Sequence, residues 1–231
     1  MSFKFREKTV FLNGRKENFF RELDFISVIE DLLPNNPVVI DCGANIGNYT
    51  IYFSLFKDAK KVYSFEPMAK YFDFLKKNIL LNNIGDKVAT FNAGTSNRND
   101  KISLISTIPG SEGAFWFWYK DEKHKKPFDQ GYIRHKEILD SSRVESETVR
   151  LDDVISRKDE VDFIKIDVEG MEYETILGAS QIIKNSKPLI YIETSVLTQK
   201  NLLSWMAKNK YSRIEKGIFK GHNWLLRSNG K

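Results

Sequence analysis

The chain has 231 residues, a formal net charge of +5 and one cysteine. That length suits one α/β domain with small additions and a full core. The modest positive charge permits an anionic partner without demanding one, and the single Cys42 excludes a disulfide within the chain, as suits a reducing compartment.

No apolar run approaches ~18 residues, so no transmembrane helix is predicted. The stretch from Phe3 to Lys8 carries no apolar core of a secretory signal. The expectation is a cytoplasmic protein. Residues 1–36 read as an N-terminal extension. Within it, residues 8–12 suit a short strand, with Asn13-Gly14 as a turn. Phe19, Leu23, Ile26, Ile29 and Leu33 recur at helical spacing, and Pro34 ends that run.

The main domain, residues 37–231, opens on Val38-Val39-Ile40-Asp41-Cys42-Gly43-Ala44-Asn45-Ile46-Gly47-Asn48-Tyr49. An apolar run ends in an acid, a glycine turn follows, and an amphipathic segment begins. This pattern predicts strand, tight turn and helix, the first unit of a nucleotide-binding parallel sheet. The next strand ends in Phe65-Glu66-Pro67, with Glu66 placed 23 positions after Gly43. An acid about 20 residues beyond the turn accepts hydrogen bonds from ribose hydroxyls.

Pro67 opens a helix to about residue 81, striped by Met68, Tyr71, Phe72, Leu75 and Ile79. A third strand, residues 88–92, leads into a polar loop in which Asn92 could reach an adenine. The regular pattern then breaks down from residue 101 to about 150. Residues 102–105 and 147–151 suit strands. An insertion at about 108–145 lies between them and holds the run Phe115-Trp116-Phe117-Trp118-Tyr119. An irregular stretch this long is usually functional or disordered, and five adjacent aromatics argue against disorder. Two readings stay open: a strand packed on alternate faces, or an acceptor wall in which Trp116, Trp118 and Tyr119 stack on flat faces.

Regularity returns with a short helix at residues 151–155. The fourth strand, from Val161, ends in Asp167-Val168-Glu169-Gly170, and helical turns run on to about residue 185. The fifth strand ends in Glu193. A further helix spans residues 197–209, with Thr198 as its expected N-cap, and residues 211–214 and 223–227 suit a closing antiparallel hairpin.

The chemistry follows from the departures from a dinucleotide fingerprint. The turn is G-x-x-x-G, and Asn45 stands where the second glycine of G-x-G-x-x-G belongs. Asp41 would repel a pyrophosphate and attract a cation. S-adenosylmethionine has a sulfonium, an ammonium and no phosphate. The candidate cofactor-binding residues are therefore Asp41, Gly43, Asn45, Gly47, Asn48, Tyr49, Glu66, Pro67 and Asn92. At the same strand edge Asp167, Glu169 and Glu193 are the candidate catalytic acids. Methyl transfer to a hydroxyl needs alignment and a base, and Asp167 is best placed by topology. The other reading is that Asp167 and Glu169 only organise the turn. His124, His135 and His222 are further candidates for the base. Mg²⁺ at this edge is considered and not favoured.

These residues resemble the FkbM-type methyltransferase family, within the class I S-adenosylmethionine-dependent fold. The resemblance rests on residues 39–47, on Phe65-Glu66-Pro67, on Leu151-Asp152-Asp153, on the block Asp162-Phe163-Ile164-Lys165-Ile166-Asp167-Val168-Glu169-Gly170-Met171-Glu172, and on Ile190-Tyr191-Ile192-Glu193. It covers roughly residues 37–195. It implies a Rossmann-like seven-stranded sheet, mostly parallel with an antiparallel last strand, and methylation of hydroxyls on sugars, glycans or related small molecules. Its acceptor is expected to be small or glycan-like, with nucleic acid or lipid as the alternative. A methyltransferase-like binding domain without turnover also stays open. No Asn-Pro-Pro-Tyr block of the amine-directed nucleic-acid enzymes is present. Tyr119-x-x-x-Lys123 has the spacing of short-chain dehydrogenases, but it lies among charged residues and lacks their glycine fingerprint.

Overall fold

The computed structural model describes residues 2–13, 24–106, 115–119, 143–194, 196–215, 219 and 221–230. Its centre is a seven-stranded sheet. In chain order the strands are β3 (Val38–Cys42), β4 (Lys61–Phe65), β5 (Val88–Phe91), β10 (Phe163–Ile166), β11 (Leu189–Glu193), β12 (Tyr211–Arg213) and β13 (Asn223–Ser228). In space they run β12-β13-β11-β10-β3-β4-β5. Only β13 pairs antiparallel, to both β11 and β12, and it is the last strand of the chain. The seven-stranded, mostly parallel Rossmann-like sheet expected from the resemblance is therefore present.

Helices cover both faces because the strands alternate. Val38, Ile40 and Cys42 of β3 join one buried cluster, and Val39 joins the other. The first cluster packs under α4 (Leu151–Val154), α5 (Glu172–Gly178), α6 (Ser180–Ser186) and α7 (Val196–Asn209). The second packs under α1 (residues 24–30), α2 (Asn48–Phe56) and α3 (Ala69–Leu81). A strand buried on both faces has no polar side to offer, which is why β3 reads as a continuous apolar run up to Asp41.

Strand order reverses between β3 and β10. Ligands of open α/β sheets sit outside the carboxyl ends at such a switch point. Asp41 and the residues after Ile166 stand there.

A second sheet has the order β6-β9-β7-β8, with β6 (Gly94–Thr95), β7 (Asp100–Ser106), β8 (Phe115–Tyr119) and β9 (Arg143–Val149). The stretch that lost its periodicity in sequence is thus framed by strands longer than expected. The aromatic run is itself a strand, with Phe117 registered opposite Leu104 and Trp118 opposite Ser103.

At the N-terminus β1 (Ser2–Phe5) and β2 (Lys8–Phe11) form a hairpin. Its turn is Arg6-Glu7, with Arg6 at φ 50°; the turn expected at Asn13-Gly14 includes Gly14, which lies outside the described residues. The hairpin is pinned to the end of α3 by Asn82. Its Oδ1 accepts from Phe11 N at 2.9 Å, and its Nδ2 donates to Phe11 O at 2.6 Å. Thr198 is not the cap of α7: it lies in the first turn of that helix and is buried. Among the described residues, no helix is long and apolar enough to cross a membrane.

Candidate active site

Asp41, Lys165 and Asp167 share one sheet face because β3 and β10 run parallel with Asp41 registered against Lys165, and Asp167 follows two positions later. Asp41 is fully buried. Its Oδ2 accepts from Thr50 Oγ1 at 2.7 Å and from Thr50 N at 3.2 Å. Ser64 Oγ lies 2.7 Å from the same threonine hydroxyl. The Thr50 proton is committed to Asp41, so Ser64 is the donor of that second bond. Asp41 Oδ1 has no hydrogen bond; the Lys165 ammonium stands 3.6 Å away. The acid at the end of β3 is thereby held by the first turn of α2.

The glycine turn that follows is shaped by close packing. Gly43 has φ 76°, and a Cβ there would lie 1.8 Å from the Asp167 carbonyl oxygen. Any side chain would push β3 and the β10 exit apart. Gly47 has φ 97°, and its missing Cβ admits Leu75 of α3. Gly47 therefore serves helix packing, while Gly43 and Asn45 line the pocket. Asn45 takes φ 51° and caps its own turn, its Oδ1 accepting from Ile46 N at 2.8 Å; asparagine tolerates that backbone better than most residues.

Glu66 leaves the end of β4 almost fully buried. Its Oε2 accepts from Asn45 N at 2.9 Å and its Oε1 from Met68 N at 2.8 Å. Each carboxylate oxygen keeps a second lone-pair site, and Glu66 lines the pocket. Burial pushes its carboxyl up to about 7, and the two backbone N–H groups hold it back from rising further. Asn92 does not line this pocket. Its Nδ2 donates to the carbonyls of Glu66 at 2.9 Å and Pro67 at 3.2 Å, bracing the loop that carries Glu66.

Across the pocket, Asp167, Val168 and Glu169 form the opposite wall. Asp167 Oδ2 lies 3.5 Å from the Lys165 ammonium. Glu169 sits at φ 51°. Its carboxyl is pushed up to about 8, first by burial and then by the charges of Asp167 and Glu193. Glu193 ends β11 exposed. The three acids singled out in the sequence are thus brought within electrostatic reach of one another. Glu172, at the start of α5, adds a fourth. It is buried, its Oε1 accepts from Gly170 N at 2.7 Å, and burial pushes it up to about 7.

Among the other candidates, Pro67 lines the pocket, Asn48 opens α2, and Tyr49 is buried with its ring stacked on Tyr191 at 6.0 Å. His222 Nδ1 lies 2.9 Å from the Thr194 carbonyl, at the edge where Glu193 stands. His124 and His135 fall outside the described residues, and of Trp116, Trp118 and Tyr119 the structure describes the strand they occupy. Among the described residues, no three His, Cys, Asp or Glu side chains form a cluster able to hold a metal ion.

Sequence reasoning missed Lys165, Thr50 and Ser64. Lys165 had a visible signal: it is a charge in the middle of an otherwise apolar strand, where only a paired or working group survives. Leu104 of β7 also lines the pocket, so the second sheet supplies part of its wall. Ser146 of β9 fixes that sheet to the loop after β4, its Oγ donating to Pro67 O at 2.9 Å.

The chain matches the methyltransferase FkbM domain over residues 41–213. It is 29% identical over 166 residues to "Methyltransferase sdnD" of Sordaria araneosa, covering 64% of this chain and 62% of that protein. It is 26% identical over 149 residues to "Methyltransferase 1" of Beauveria bassiana, covering 63% and 59%. The match therefore spans about three-fifths of those relatives' length. Among solved structures, the FkbM methyltransferase of Methylobacillus flagellatus KT aligns with a TM-score of 0.53 at 19% identity, over 83% of this chain and 43% of that one. A putative rRNA methylase of Clostridium thermocellum aligns with a TM-score of 0.52 at 13% identity, over 88% and 91%. These last two show the shared fold, and the domain match, which covers well over half of the chain, shows that the chain belongs to the FkbM methyltransferase family.

Proposed function

We propose that the chain is an S-adenosylmethionine-dependent O-methyltransferase that acts on a hydroxyl of a sugar, glycan or related small molecule. The observation that carries this reading is the pairing, across one pocket, of Glu66 with spare lone pairs and Asp167 at the switch point of the sheet. The residues fit the cofactor. Glu66 would hold the ribose hydroxyls, Met68 and Tyr71 give an apolar wall for the base, and Asp41 offers negative charge beneath the turn. When bound, S-adenosylmethionine supplies a methyl group on a sulfonium, open to in-line attack.

The chain's own part is to place and deprotonate the acceptor. Asp167 stands at the pocket wall and takes the hydroxyl proton as the new bond forms. Glu169 and Glu193 stand close enough to set the potential around it. Leu104 and the β7–β8 sheet beside it form the side from which an acceptor would approach. We place the reaction without a metal, and in the cytoplasm, where a buried lone thiol such as Cys42 is at home.

The test combines binding and turnover. Calorimetry should show S-adenosylmethionine and S-adenosylhomocysteine binding and NAD not binding. Mass spectrometry of extracted glycans and metabolites incubated with protein and cofactor should show a shift of about 14 Da, the mass of the CH₂ gained when a methyl replaces the hydroxyl proton. Asp167→Asn should lose ~10²–10⁴-fold in kcat while keeping cofactor affinity. Near-normal turnover in that variant would remove Asp167 from the chemistry. Loss of activity to a chelator, restored by Mg²⁺, would refute the metal-free mechanism.

A further inference from the structure

Lys165 is the most unusual residue of the sheet. It sits at the centre of β10 and is buried. Burying an ammonium is costly unless the site supplies partners. Here it donates to the carbonyl oxygens of Gly43 at 2.7 Å and Cys42 at 3.3 Å. It pairs with Asp41 at 3.6 Å and with Asp167 at 3.5 Å. Its ammonium also lies over the Tyr49 ring, 5.5 Å from the centroid. One cation thus touches the acid that ends β3, the backbone of the glycine turn and the acid at the β10 exit.

The charge balance of this arrangement is specific. Two carboxylates share one ammonium, which leaves the group with a single net negative charge. Two carboxylates sharing a site without a cation do not both ionise readily; one of them retains a proton. Lys165 removes that penalty. Other acids face the same group: Glu66 from the end of β4 and Glu169 from the loop after β10 both feel the Lys165 charge. Glu172 of α5 feels Asp167 directly, and Glu193 of β11 acts on Glu169. Asp41 and Asp167 stand within ion-pair distance of the ammonium.

We propose that Lys165 is a positioning residue that holds Asp41 and Asp167 ionised together, tying the cofactor turn to the acceptor-side acid and leaving one net negative charge to receive a sulfonium. The sulfonium rests on the cofactor reading above; the charge-holding role does not. In this arrangement Lys165 acts through Asp167 and the glycine turn, not on a substrate atom. It fixes the distance between the turn at Gly43 and the carboxylate of Asp167, both of which it contacts directly.

The test uses the full chain as wild type, Lys165→Met and Lys165→Met/Asp41→Asn. Each is unfolded thermally at about pH 5 and about pH 8, on either side of the range in which a crowded carboxylate gives up its proton. Without its ammonium, the surplus carboxylate takes up a proton at the lower pH and is forced to ionise at the higher one. The single variant should therefore lose more melting temperature, relative to wild type, at the higher pH. The double variant, with the surplus charge removed, should regain part of that loss. Calorimetric affinities for S-adenosylmethionine and S-adenosylhomocysteine give a readout that packing alone does not move. The preference for the cationic ligand should rise about threefold or more in the single variant at the higher pH, by added attraction, and should match wild type at the lower.

An equal loss at both pH values, no rescue by Asp41→Asn, or an unchanged ligand preference at the higher pH would overturn the proposal. If Lys165→Met fails to fold, folding of the double variant is itself the rescue, and failure of both counts against it. A wild type that binds both ligands yet methylates no hydroxyl would sink the acceptor reading and leave this result standing.

Discussion

The acids around the pocket are held in a state that folding alone does not favour. Glu66, Glu169 and Glu172 are pushed from an ordinary 4.5 to about 7, about 8 and about 7, in each case first by burial. The folded chain therefore binds more protons than the unfolded chain between those limits. Such a group contributes stability that is fully present below its unfolded pKa and is lost as pH rises through the folded one. Elsewhere Glu30, held down by the Arg6 guanidinium and the Tyr52 hydroxyl against the effect of burial, acts with the opposite sign below that range. The expected outcome is a melting temperature, measured without ligand, that falls from about pH 5 to about pH 8. Glu169→Gln should flatten part of the slope, because it removes one of the three groups. A melting temperature that holds level or rises across this window would contradict the burial of these carboxylates. Glu66 and Glu169 were legible in the sequence from Phe65-Glu66-Pro67 and Asp167-Val168-Glu169; Glu172 was not singled out there. The protonation of all three was not legible, since it depends on neighbours from three strands and a helix.

Asp152 shows the same contrast for an element. In sequence, Leu151-Asp152-Asp153 read as a short helix and a piece of the family pattern. In the fold it is also the cap of a different helix. Its carboxylate accepts from the backbone N–H groups of Gln181 at 3.0 Å and Ile182 at 3.1 Å, and from Ser180 Oγ at 3.1 Å. These donors open α6, whose first turn has no preceding turn to satisfy it. No residue just before Ser180 supplies a cap: the preceding residue is Ala179. The acid comes from 28 residues upstream, a distance that local capping rules do not search. Helical turns over 171–185 were predicted as one run, but they divide at Ala179 into α5 and α6. Gly178 marks the junction: a Cβ there would lie 1.9 Å from the Ser96 carbonyl oxygen. Asp152→Ala should cost about 0.5–2 kcal/mol, the range for a lost cap. Chemical denaturation measures it, and an unchanged midpoint would show that solvent satisfies the α6 donors equally well. The change should leave cofactor affinity alone, because α6 lies away from the pocket-lining residues.

For the whole molecule, the parallel sheet was legible because each of its strands is apolar, short and followed by a turn signal; the site was legible because its acids end those strands. The second sheet was not. The paired positions of its strands β7 and β9 run from Asp100 opposite Thr148 to Ile105 opposite Arg143, and no local periodicity encodes a partner that distant. Nor did the sequence show that this sheet meets the pocket, which it does through Leu104 and through the Ser146 bond to Pro67. That contact sharpens the acceptor expectation. In an antiparallel pair, directly opposed positions share a face. Phe117 is registered opposite Leu104, and Tyr119 opposite Ile102, whereas Trp116 and Trp118 are opposite Ile105 and Ser103. Leu104 lines the pocket, so the register motivates comparing Phe117 and Tyr119 with the two tryptophans by substitution. Tyr119→Ala and Phe117→Ala should raise the acceptor KM about 5–50-fold, the scale of about 1–2.3 kcal/mol for a lost stacking contact, with S-adenosylhomocysteine affinity unchanged. Trp116→Ala and Trp118→Ala should shift the acceptor KM less. A larger effect from the tryptophans would place the acceptor on the other face of β8, and a loss of cofactor affinity in any of the four would show that the second sheet supports the fold rather than the acceptor.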